Sequence, residues 1–264
     1  MARTLTGMSQ RREQQYQQRM TQRIARRLDA AFQREIIRAM RAIGKAYGNP
    51  GRQAEAAMVH NQKLAGLLNR AYGVSFDTFG PRVLKEAPKS HSVTIETKAA
   101  EDVFDRARAL WIREQVAQKV TEIGGTTRKQ AVDIIQQATT DAVTEGLSSQ
   151  SALGKLIQAR VNEQGGVMSR MRSRVIARTE AHASANAATQ EAAKATGLVL
   201  DKEWVSSQGS RTRDDHDDAD GQVVAINEAF NIGGEALMFP GDPSGSAAQV
   251  INCRCALVHV VADR

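Results

Sequence analysis

The chain has 264 residues, of which 41% are hydrophobic and only 4% aromatic. This composition is typical of a globular protein with an aliphatic, helix-rich core and excludes a fully disordered chain. The formal net charge of +7 is unevenly placed: residues 1–60 hold 12 Lys+Arg and 4 Asp+Glu, whereas the remainder holds 24 and 25. The sequence therefore predicts a basic segment of charge +8 attached to a body of charge −1.

Targeting signals are weak throughout the sequence. No apolar run approaches the roughly 20 residues of a membrane span, and the first 60 residues lack a signal-peptide core. We therefore expect a soluble chain with no membrane partner and no export. A mitochondrial transit peptide is a remote alternative, because the basic segment is Gln-rich and too long. In a chain that is not exported, two cysteines favour thiols or a metal site over a disulfide.

Residues 9–47 predict one long basic helix, since they contain no proline and no internal glycine before Gly44. One narrow apolar stripe runs along it, formed by Met20, Ile24, Leu28, Phe32, Ile36, Met40 and Ile43. The other faces carry arginines, and the candidates for contact with a nucleic acid or a partner protein are Arg19, Arg23, Arg26, Arg27, Arg34, Arg38 and Arg41.

Three interpretations of this helix are open. Arginines on its exposed faces could neutralise DNA phosphates without reading bases, which gives salt-sensitive, sequence-independent binding. The thin apolar stripe could dock on another protein as a coiled-coil-like helix, alone or together with DNA binding. The segment could also be a solvated, partly disordered arm.

Proline and glycine mark the next boundaries. The motif "GNPG" at 48–51 ends the first helix, and a shorter helix follows over about 52–72. The Pro/Gly/Ser-bearing residues 73–92 predict a connector. We place a domain boundary near residue 90, so that 1–90 form a basic helical arm with its connector and 91–264 form a second domain.

The second domain begins with helices, over 91–197. An amphipathic helix over 98–123 is interrupted by "GGTT", with one of the two threonines, Thr126 or Thr127, as the next N-cap. A further helix stops at Gly146, and "NEQGG" separates a short helix from a longer one that ends at Gly197.

Residues 198–264 differ in character. The runs "LVLDKEWVSS", "QVVAINEAF" and "CRCALVHVV" are typical of short strands separated by loops. The predicted fold class is therefore α+β: a long helical N-terminal and middle region followed by a small C-terminal domain with a short antiparallel sheet.

The two cysteines suggest a metal site. In a strand, Cys253 and Cys255 would share one face with Leu257 and His259, where two thiolates can chelate one ion and disulfide geometry is unfavourable. The loop "SRTRDDHDDADGQ" adds His216 among aspartates. A site of His216, Cys253 and Cys255, with His259 or an aspartate as fourth ligand, would suit zinc. Two buried thiols and an exposed loop histidine are an equally good interpretation.

Two other interpretations of these residues are weaker. Aligning Gly221 with the EF-hand glycine puts His216 first and Asn227 last, where a calcium loop needs Asp and Glu. The simpler interpretation of the acidic residues, which we favour over a calcium loop, is a solvated loop whose carboxylates pair with Arg211 and Arg213. A cysteine paired with His216 or His259 as nucleophile and base has no supporting motif, so we favour a structural role.

Several motifs, in order, resemble the phage Mu F-like minor head protein (head morphogenesis) family. They are "ARTEAHASANAA", a tryptophan, "RTRDDHDDADGQVV" and "FPGDPSGSAAQVINCRCAL", and the resemblance covers about residues 125–262. The matching positions are Arg178, Thr179, Glu180, Trp204, Arg213, His216, Gly221, Pro240, Gly241, Asp242, Pro243, Asn252, Cys253, Arg254 and Cys255.

The resemblance implies a minor capsid protein of a tailed bacteriophage, associated with the portal vertex and acting in head assembly and DNA packaging or delivery. The implied partners are the portal protein, other head proteins and phage DNA, and the implied location is the capsid interior near the portal, after assembly in the host cytoplasm. It does not imply an enzyme. Some relatives are labelled ADP-ribosyltransferases, so the alternative is an enzyme or toxin-like C-terminal domain on a helical carrier, although no Arg…Ser-Thr-Ser…Glu-x-Glu arrangement is present.

Three charged residues among the matching positions are assigned structural roles. We expect Arg178 and Glu180 to form a buried or half-buried ion pair that attaches the helix to the loops of the sheet, and Arg213 to act with them.

Overall fold

The computed structural model describes residues 4–91, 95–147 and 149–261. Within them, four long helices come first: α1 (Gln10–Lys45), α2 (Pro50–His91), α3 (Thr97–Thr144) and α4 (Gln150–Ala195). The C-terminal region then contains, in order, β1 (Leu200–Val205), α5 (Asp214–Asp218), β2 (Val223–Ala225), β3 (Phe230–Ile232), β4 (Glu235–Leu237), α6 (Ala247–Val250) and β5 (Ala256–Val261). The predicted α+β class is confirmed.

The sheet is small and antiparallel. Its strand order is β2-β1-β5, with Trp204 opposite Leu257 in the central pair. Strands β3 and β4 form a separate hairpin, and both residues of its tight turn, Gly233 and Gly234, have positive φ, as such two-residue turns require. Every residue of β5 before Val261 is buried, so the strand that follows the cysteines belongs to the core.

The chain divides into two compact units, neither of which is bounded at residue 90. The sheet unit comprises Met1–Ala25, Ala71–Arg113 and Arg178–Arg264; the helical unit comprises Arg26–Arg70 and Glu114–Ala177.

Within the sheet unit, the start of the chain contacts the end. Leu5 N donates to the carbonyl of His259 at 2.7 Å, and Gln17 Nε2 donates to the carbonyl of Leu257 at 2.8 Å. Residues 4–25 are therefore part of a folded unit, and the interpretation of this stretch as a disordered arm is wrong.

The apolar stripe of α1 is covered by the chain itself. In the helical unit, Ile36, Met40 and Ile43 are fully buried against α3 and α4, and Ile24 and Phe32 are buried as well. The hypothesis that this stripe docks on another protein is therefore wrong, because five of its seven residues are already buried within the chain.

Helix α2 continues through the predicted connector. It contains Pro81 and Pro88 in its interior, where each proline removes one backbone hydrogen bond. Buried apolar residues at helical spacing explain why the helix continues, since tertiary packing can outweigh local preference; they are Tyr72, Phe76, Phe79, Val83 and Ala87.

Helices α3 and α4 likewise pass through "GGTT" and "NEQGG", so both predicted breaks are wrong. The hydroxyls of Thr126 and Thr127 donate to carbonyls four residues earlier, each at 2.8 Å, and cap no new helix. The predicted helix ends near Gly146 and Gly197 are confirmed, and both glycines have the positive φ of a C-terminal cap.

Candidate functional site

His216, Cys253 and Cys255 come together in the sheet unit. The Nδ1 atom of His216 lies 3.3 Å from Cys255 Sγ and 3.6 Å from Cys253 Sγ. The three candidate ligand atoms are within 4.8 Å of one another, and all three residues are buried. The structure thus joins the three residues that the sequence selected from separate segments.

The cysteines are not in a strand, contrary to the prediction. Strand β5 begins at Ala256, and both thiols precede it in the segment after α6. Asn252 bends this segment with a φ of 61°, a left-handed conformation that asparagine tolerates well. Its backbone N donates to Thr179 Oγ1 at 3.2 Å. The bend, rather than the alternation of a strand, directs the two sulfurs to one point.

His216 is held by a chain of hydrogen bonds. Its Nε2 lies 3.0 Å from Gln249 Oε1, and Gln249 Nε2 donates to Asp215 Oδ2 at 2.6 Å. Because the amide nitrogen of Gln249 donates to the carboxylate, its amide oxygen faces the imidazole and accepts a hydrogen bond from Nε2–H. The unprotonated Nδ1 then points its lone pair at the two sulfurs.

The two thiols differ in acidity. A hydrogen bond from Cys253 lowers the pKa of Cys255 to about 5 against the opposing effect of burial. Burial, together with the hydrogen bond to Cys255, raises the pKa of Cys253 well above its usual value. One thiolate, the form that binds metals, is therefore stabilised at neutral pH.

This donor set fits zinc. Tetrahedral coordination with Zn–S of about 2.3 Å and Zn–N of about 2.0 Å separates sulfur and nitrogen ligands by about 3.5 Å, close to the observed 3.3 and 3.6 Å. A histidine whose second nitrogen donates to a fixed acceptor is also the usual arrangement around a bound metal. The cluster is compatible with a metal held by one nitrogen and two sulfurs.

The other ligands considered for this site are engaged elsewhere. His259 Nε2 lies 2.8 Å from Gln190 Oε1 and is outside the cluster. The EF-hand alternative is wrong, because His216 faces the thiols and Asp220 Oδ1 accepts from the backbone N of Ser206. Asp217 accepts from the Ser206 hydroxyl at 3.2 Å. These aspartates fix the loop and are not arranged around an ion.

A cavity of about 410 Å³ adjoins the cluster. Of the described residues that line it, none is acidic; they are Arg178, Ser207, Gly209, Ser210, Arg211, Thr212, Arg213, His216, Asn252, Cys253, Arg254 and Cys255. Burial lowers the pKa of Arg254, and the positive charges of Arg211 and Arg178 lower it further. The cavity is therefore surrounded by mutually repelling cations.

Arg178 and Glu180 face different neighbours. Arg178 lines the cavity, and its buried Nε has no hydrogen-bond partner among the described residues. Glu180 Oε2 accepts a hydrogen bond from the Tyr72 hydroxyl at 2.6 Å. Arg213 donates to the backbone carbonyl of Ile251. Its structural role and the ion pair between Arg178 and Glu180 stay predictions.

Six of the seven arginines selected on α1 are exposed. Arg38 is half-buried and donates from Nε to Glu35 Oε2 at 2.9 Å. At about 100° per helical residue, the exposed six fall within an arc of about 100°; they are Arg19, Arg23, Arg26, Arg27, Arg34 and Arg41. We call these six residues the arginine face.

The described helices were also compared with the requirements for a membrane span. Among the helices of the described residues, none combines the length and the apolarity needed to cross a bilayer.

The fold and the site together define an α+β protein with a long helical scaffold, whose C-terminal part carries a His–Cys–Cys cluster beside a cationic cavity. Residues 133–258 match the family described as "Phage Mu protein F like protein", and this segment contains the whole cluster. Over this segment, just under half of the chain, the protein is similar to that family, and the match confirms the resemblance.

Curated relatives of three kinds match part of the chain. The "Uncharacterized protein YqbB" of Bacillus subtilis is 32% identical over 155 residues, which are 57% of this chain and 48% of that protein. The "Minor head protein GP7" of Bacillus phage SPP1 is 31% identical over 138 residues, 50% of this chain and 43% of that protein. The "NAD(+)--arginine ADP-ribosyltransferase EFV" of Enterococcus faecalis is 37% identical over 89 residues, 33% of this chain and 18% of that protein.

The chain therefore spans about half the length of two of these relatives and less of the third. No solved structure matches it.

Candidate residues that the sequence reasoning missed are few. Gln249, which orients His216, lies in the four-residue helix α6, and no local pattern marks it. Arg254 was named only as part of the family motif, and its place in a cavity that has no acidic residue among the described lining becomes visible only in the folded chain.

Proposed function

We propose that this protein is a minor head protein of a tailed bacteriophage that acts in head morphogenesis. The observation that carries the proposal is the family match over residues 133–258, supported by the similarity to a phage minor head protein. In this proposal the protein contacts the portal and other head proteins inside the capsid, after assembly in the host cytoplasm, and aids DNA packaging or delivery.

The arginine face supplies the proposed contact with DNA. Six exposed arginines within one arc of α1 give that arc a high density of positive charge. Phosphate contacts of this kind position a duplex without reading its sequence. The binding is therefore expected to be independent of sequence and sensitive to salt.

Zinc is the metal that we propose is bound by His216, Cys253 and Cys255. The ion would join α5 to the segment before β5 and would stabilise the fold of the sheet unit, as structural zinc does in small domains. Purified protein that has never met a chelator should contain about one equivalent of zinc by elemental analysis. Less than about a tenth of an equivalent would leave the two cysteines as buried thiols.

Localisation in purified particles tests the head-protein proposal. Immunogold labelling and mass spectrometry of intact and DNA-free particles should find the protein in the head, concentrated at the portal vertex. Particles of normal yield and infectivity that lack the protein would contradict the proposal.

Charge removal tests DNA binding. Replacing Arg19, Arg23, Arg27 and Arg34 by Gln should weaken binding to a duplex and flatten the slope of log K against log salt by up to about 3.6, since each lost phosphate contact contributes about 0.9. The matched control replaces four exposed arginines of α3 and α4 by Gln, namely Arg106, Arg113, Arg128 and Arg170. Equal losses in both variants would show non-specific charge attraction and would exclude the arginine face as the binding surface.

The enzyme or toxin-like alternative rests on the match to the ADP-ribosyltransferase, which covers only 18% of that protein. The activity of that relative is therefore not assigned to this chain. Catalysis would require turnover that disappears in Cys255→Ser or His216→Ala while the fold survives.

A further inference from the structure

Head assembly does not explain the arginine-lined cavity of the sheet unit. Its cationic side chains come from three separate segments: Arg178 from α4, Arg211 and Arg213 from the loop before α5, and Arg254 from between the cysteines. Folding brings these charges together at a cost, because like charges repel each other. A cavity that gathers them without an acidic lining residue is arranged for an external anion.

One guanidinium nitrogen in this cavity has no hydrogen-bond partner among the described residues. Arg178 Nε is buried and makes no hydrogen bond to any described residue, although a buried donor without a partner costs about 1–3 kcal/mol. Arginine is the residue that best matches the planar, two-oxygen face of an oxyanion. A bound anion that accepts from Arg178 would remove this penalty.

The rest of the lining supplies neutral donors. The hydroxyls of Ser207 and Thr212 lie 2.9 Å apart, and the backbone N of Gly209 donates to Thr212 Oγ1 at 2.9 Å, so this loop is fixed by its own hydrogen bonds. Ser210 adds another hydroxyl to the lining. Several guanidinium groups together with hydroxyl donors suit an anion of more than one negative charge and several oxygens, which favours phosphate over a single carboxylate.

We propose that this cavity binds phosphate groups, with Arg178 and Arg254 as its principal ligands and Arg211 as a third. The volume of about 410 Å³ is within the range of small-molecule sites and accommodates more than one phosphate. The phosphate can come from a free polyphosphate-type molecule or from the backbone of DNA, and both sources offer the same oxyanion chemistry. The proposal does not depend on a role in the phage head.

Inorganic pyrophosphate is the probe. Isothermal titration of the full chain should show saturable binding with one site, and Arg178→Gln should weaken it at least about tenfold, which is about 1.4 kcal/mol. Arg170→Gln is the matched control, since it removes the same charge from an exposed position of the same helix outside the cavity. Arg211→Gln, at an exposed loop position, is the second test variant if Arg178→Gln fails to fold.

Two further experiments test where the phosphate comes from and whether a bound metal accounts for the binding. A 12-base-pair duplex that competes with pyrophosphate, and whose own binding weakens in Arg178→Gln, identifies DNA as the source; a duplex that does not compete identifies a free phosphate compound. Titration of chelator-treated and zinc-loaded protein tests whether pyrophosphate binds the metal instead. Binding that needs zinc and is unchanged in both Arg178→Gln and Arg211→Gln would overturn the proposal.

Absence of saturable binding at millimolar pyrophosphate, or equal weakening in Arg170→Gln, would also overturn it. These outcomes are distinct from failure of the head-protein proposal, which is judged on particles. They are also distinct from failure of the arginine face, because the four-arginine variant of α1 should bind pyrophosphate as tightly as the natural chain.

Discussion

The substitution Gln249→Leu tests whether His216 belongs to a metal centre or is only a buried histidine. Gln249 and His216 are almost fully buried, and the amide oxygen is the acceptor for His216 Nε2 at 3.0 Å. Leucine keeps the volume but leaves that N–H without a partner, which costs about 1–3 kcal/mol of folding free energy. It also releases the imidazole from the orientation that aims Nδ1 at the sulfurs.

The chain contains a matched control for this substitution. Gln190 is buried and accepts from His259 Nε2 at 2.8 Å, the same chemistry away from the cysteines. Gln190→Leu should therefore destabilise the fold by a similar amount through the same unsatisfied N–H. Only Gln249→Leu should also lower metal affinity, by about 10- to 100-fold, as loss of an outer-shell partner typically does.

Two measurements are needed on each protein: the zinc dissociation constant by competition with a chromophoric chelator, and the free energy of unfolding in urea. The expected loss of affinity in Gln249→Leu corresponds to about 1.4–2.8 kcal/mol. Equal zinc affinity in the two variants, whatever their stabilities, would refute the reasoning, because the hydrogen bond to His216 would then have no bearing on the metal.

Three further predictions concern the fold of the sheet unit. Gly80→Ala should lower the free energy of unfolding in urea by about 1–3 kcal/mol, because the new Cβ would enter the ring of Phe104. Gly73→Ala in the same helix is the control: its Cβ would meet nothing closer than 3.7 Å, so this variant should be more stable by up to about 1 kcal/mol. Equal effects of the two substitutions would contradict the packing. Arg82→Met should cost about 3–5 kcal/mol because it leaves Glu13, bound at 2.6 and 2.7 Å, as a buried unpaired carboxylate, and adding Glu13→Met should restore much of this stability. Burial, and to a smaller extent the charges of Lys202 and Lys194, lower the pKa of His259 to about 3. Between about pH 6.5 and pH 3 this histidine therefore binds a proton in the unfolded chain but not in the folded one. The free energy of unfolding should fall by up to about 1.4 kcal/mol per pH unit as the pH drops through this range. A pH series of unfolding curves checks this, and His259→Gln should flatten the dependence; an unchanged slope would show that another group titrates.

The sequence predicted the fold class, but it ended the second helix too early and placed false breaks inside the third and fourth helices. Proline and glycine were treated as breaks, although Tyr72, Phe76 and Phe79 continue at helical spacing into the supposed connector and are fully buried. That spacing was visible in the sequence, and following it through Pro81 would have extended the helix. Periodicity over a long segment therefore predicts better here than single breaking residues.

The internal glycines have a different function from the one predicted. At Gly124, the side chain of Asn61 occupies the place where a Cβ would lie, and at Gly165 a Cβ would lie 3.3 Å from Ile37 and Met40. These glycines permit close helix packing within the helical unit. The sequence could not distinguish such a glycine from a helix end, because the difference is the neighbour supplied by a distant segment.

The three residues of the cluster lie close together, but not for the reason that the sequence suggested. Cysteine spacing suggested one face of a strand, whereas the sulfurs converge because Asn252 adopts a left-handed conformation before β5. The pairing with His216 followed from residue chemistry alone, since histidine and cysteine are the residues that bind zinc. Gln249 was not predictable, because its role depends on a contact across 33 residues.

The glutamine-rich start of α1 changes how DNA binding must be tested. Gln18 Nε2 donates to the carbonyl of Arg254 at 3.3 Å, and Gln14 Nε2 donates to the carbonyl of Ser206. These amides brace the two segments that flank the arginine-lined cavity. Deleting residues 1–50 would remove this brace together with the arginine face, so a loss of DNA binding could come from either. Only substitution of exposed arginines, with the glutamines intact, attributes the effect to the arginine face.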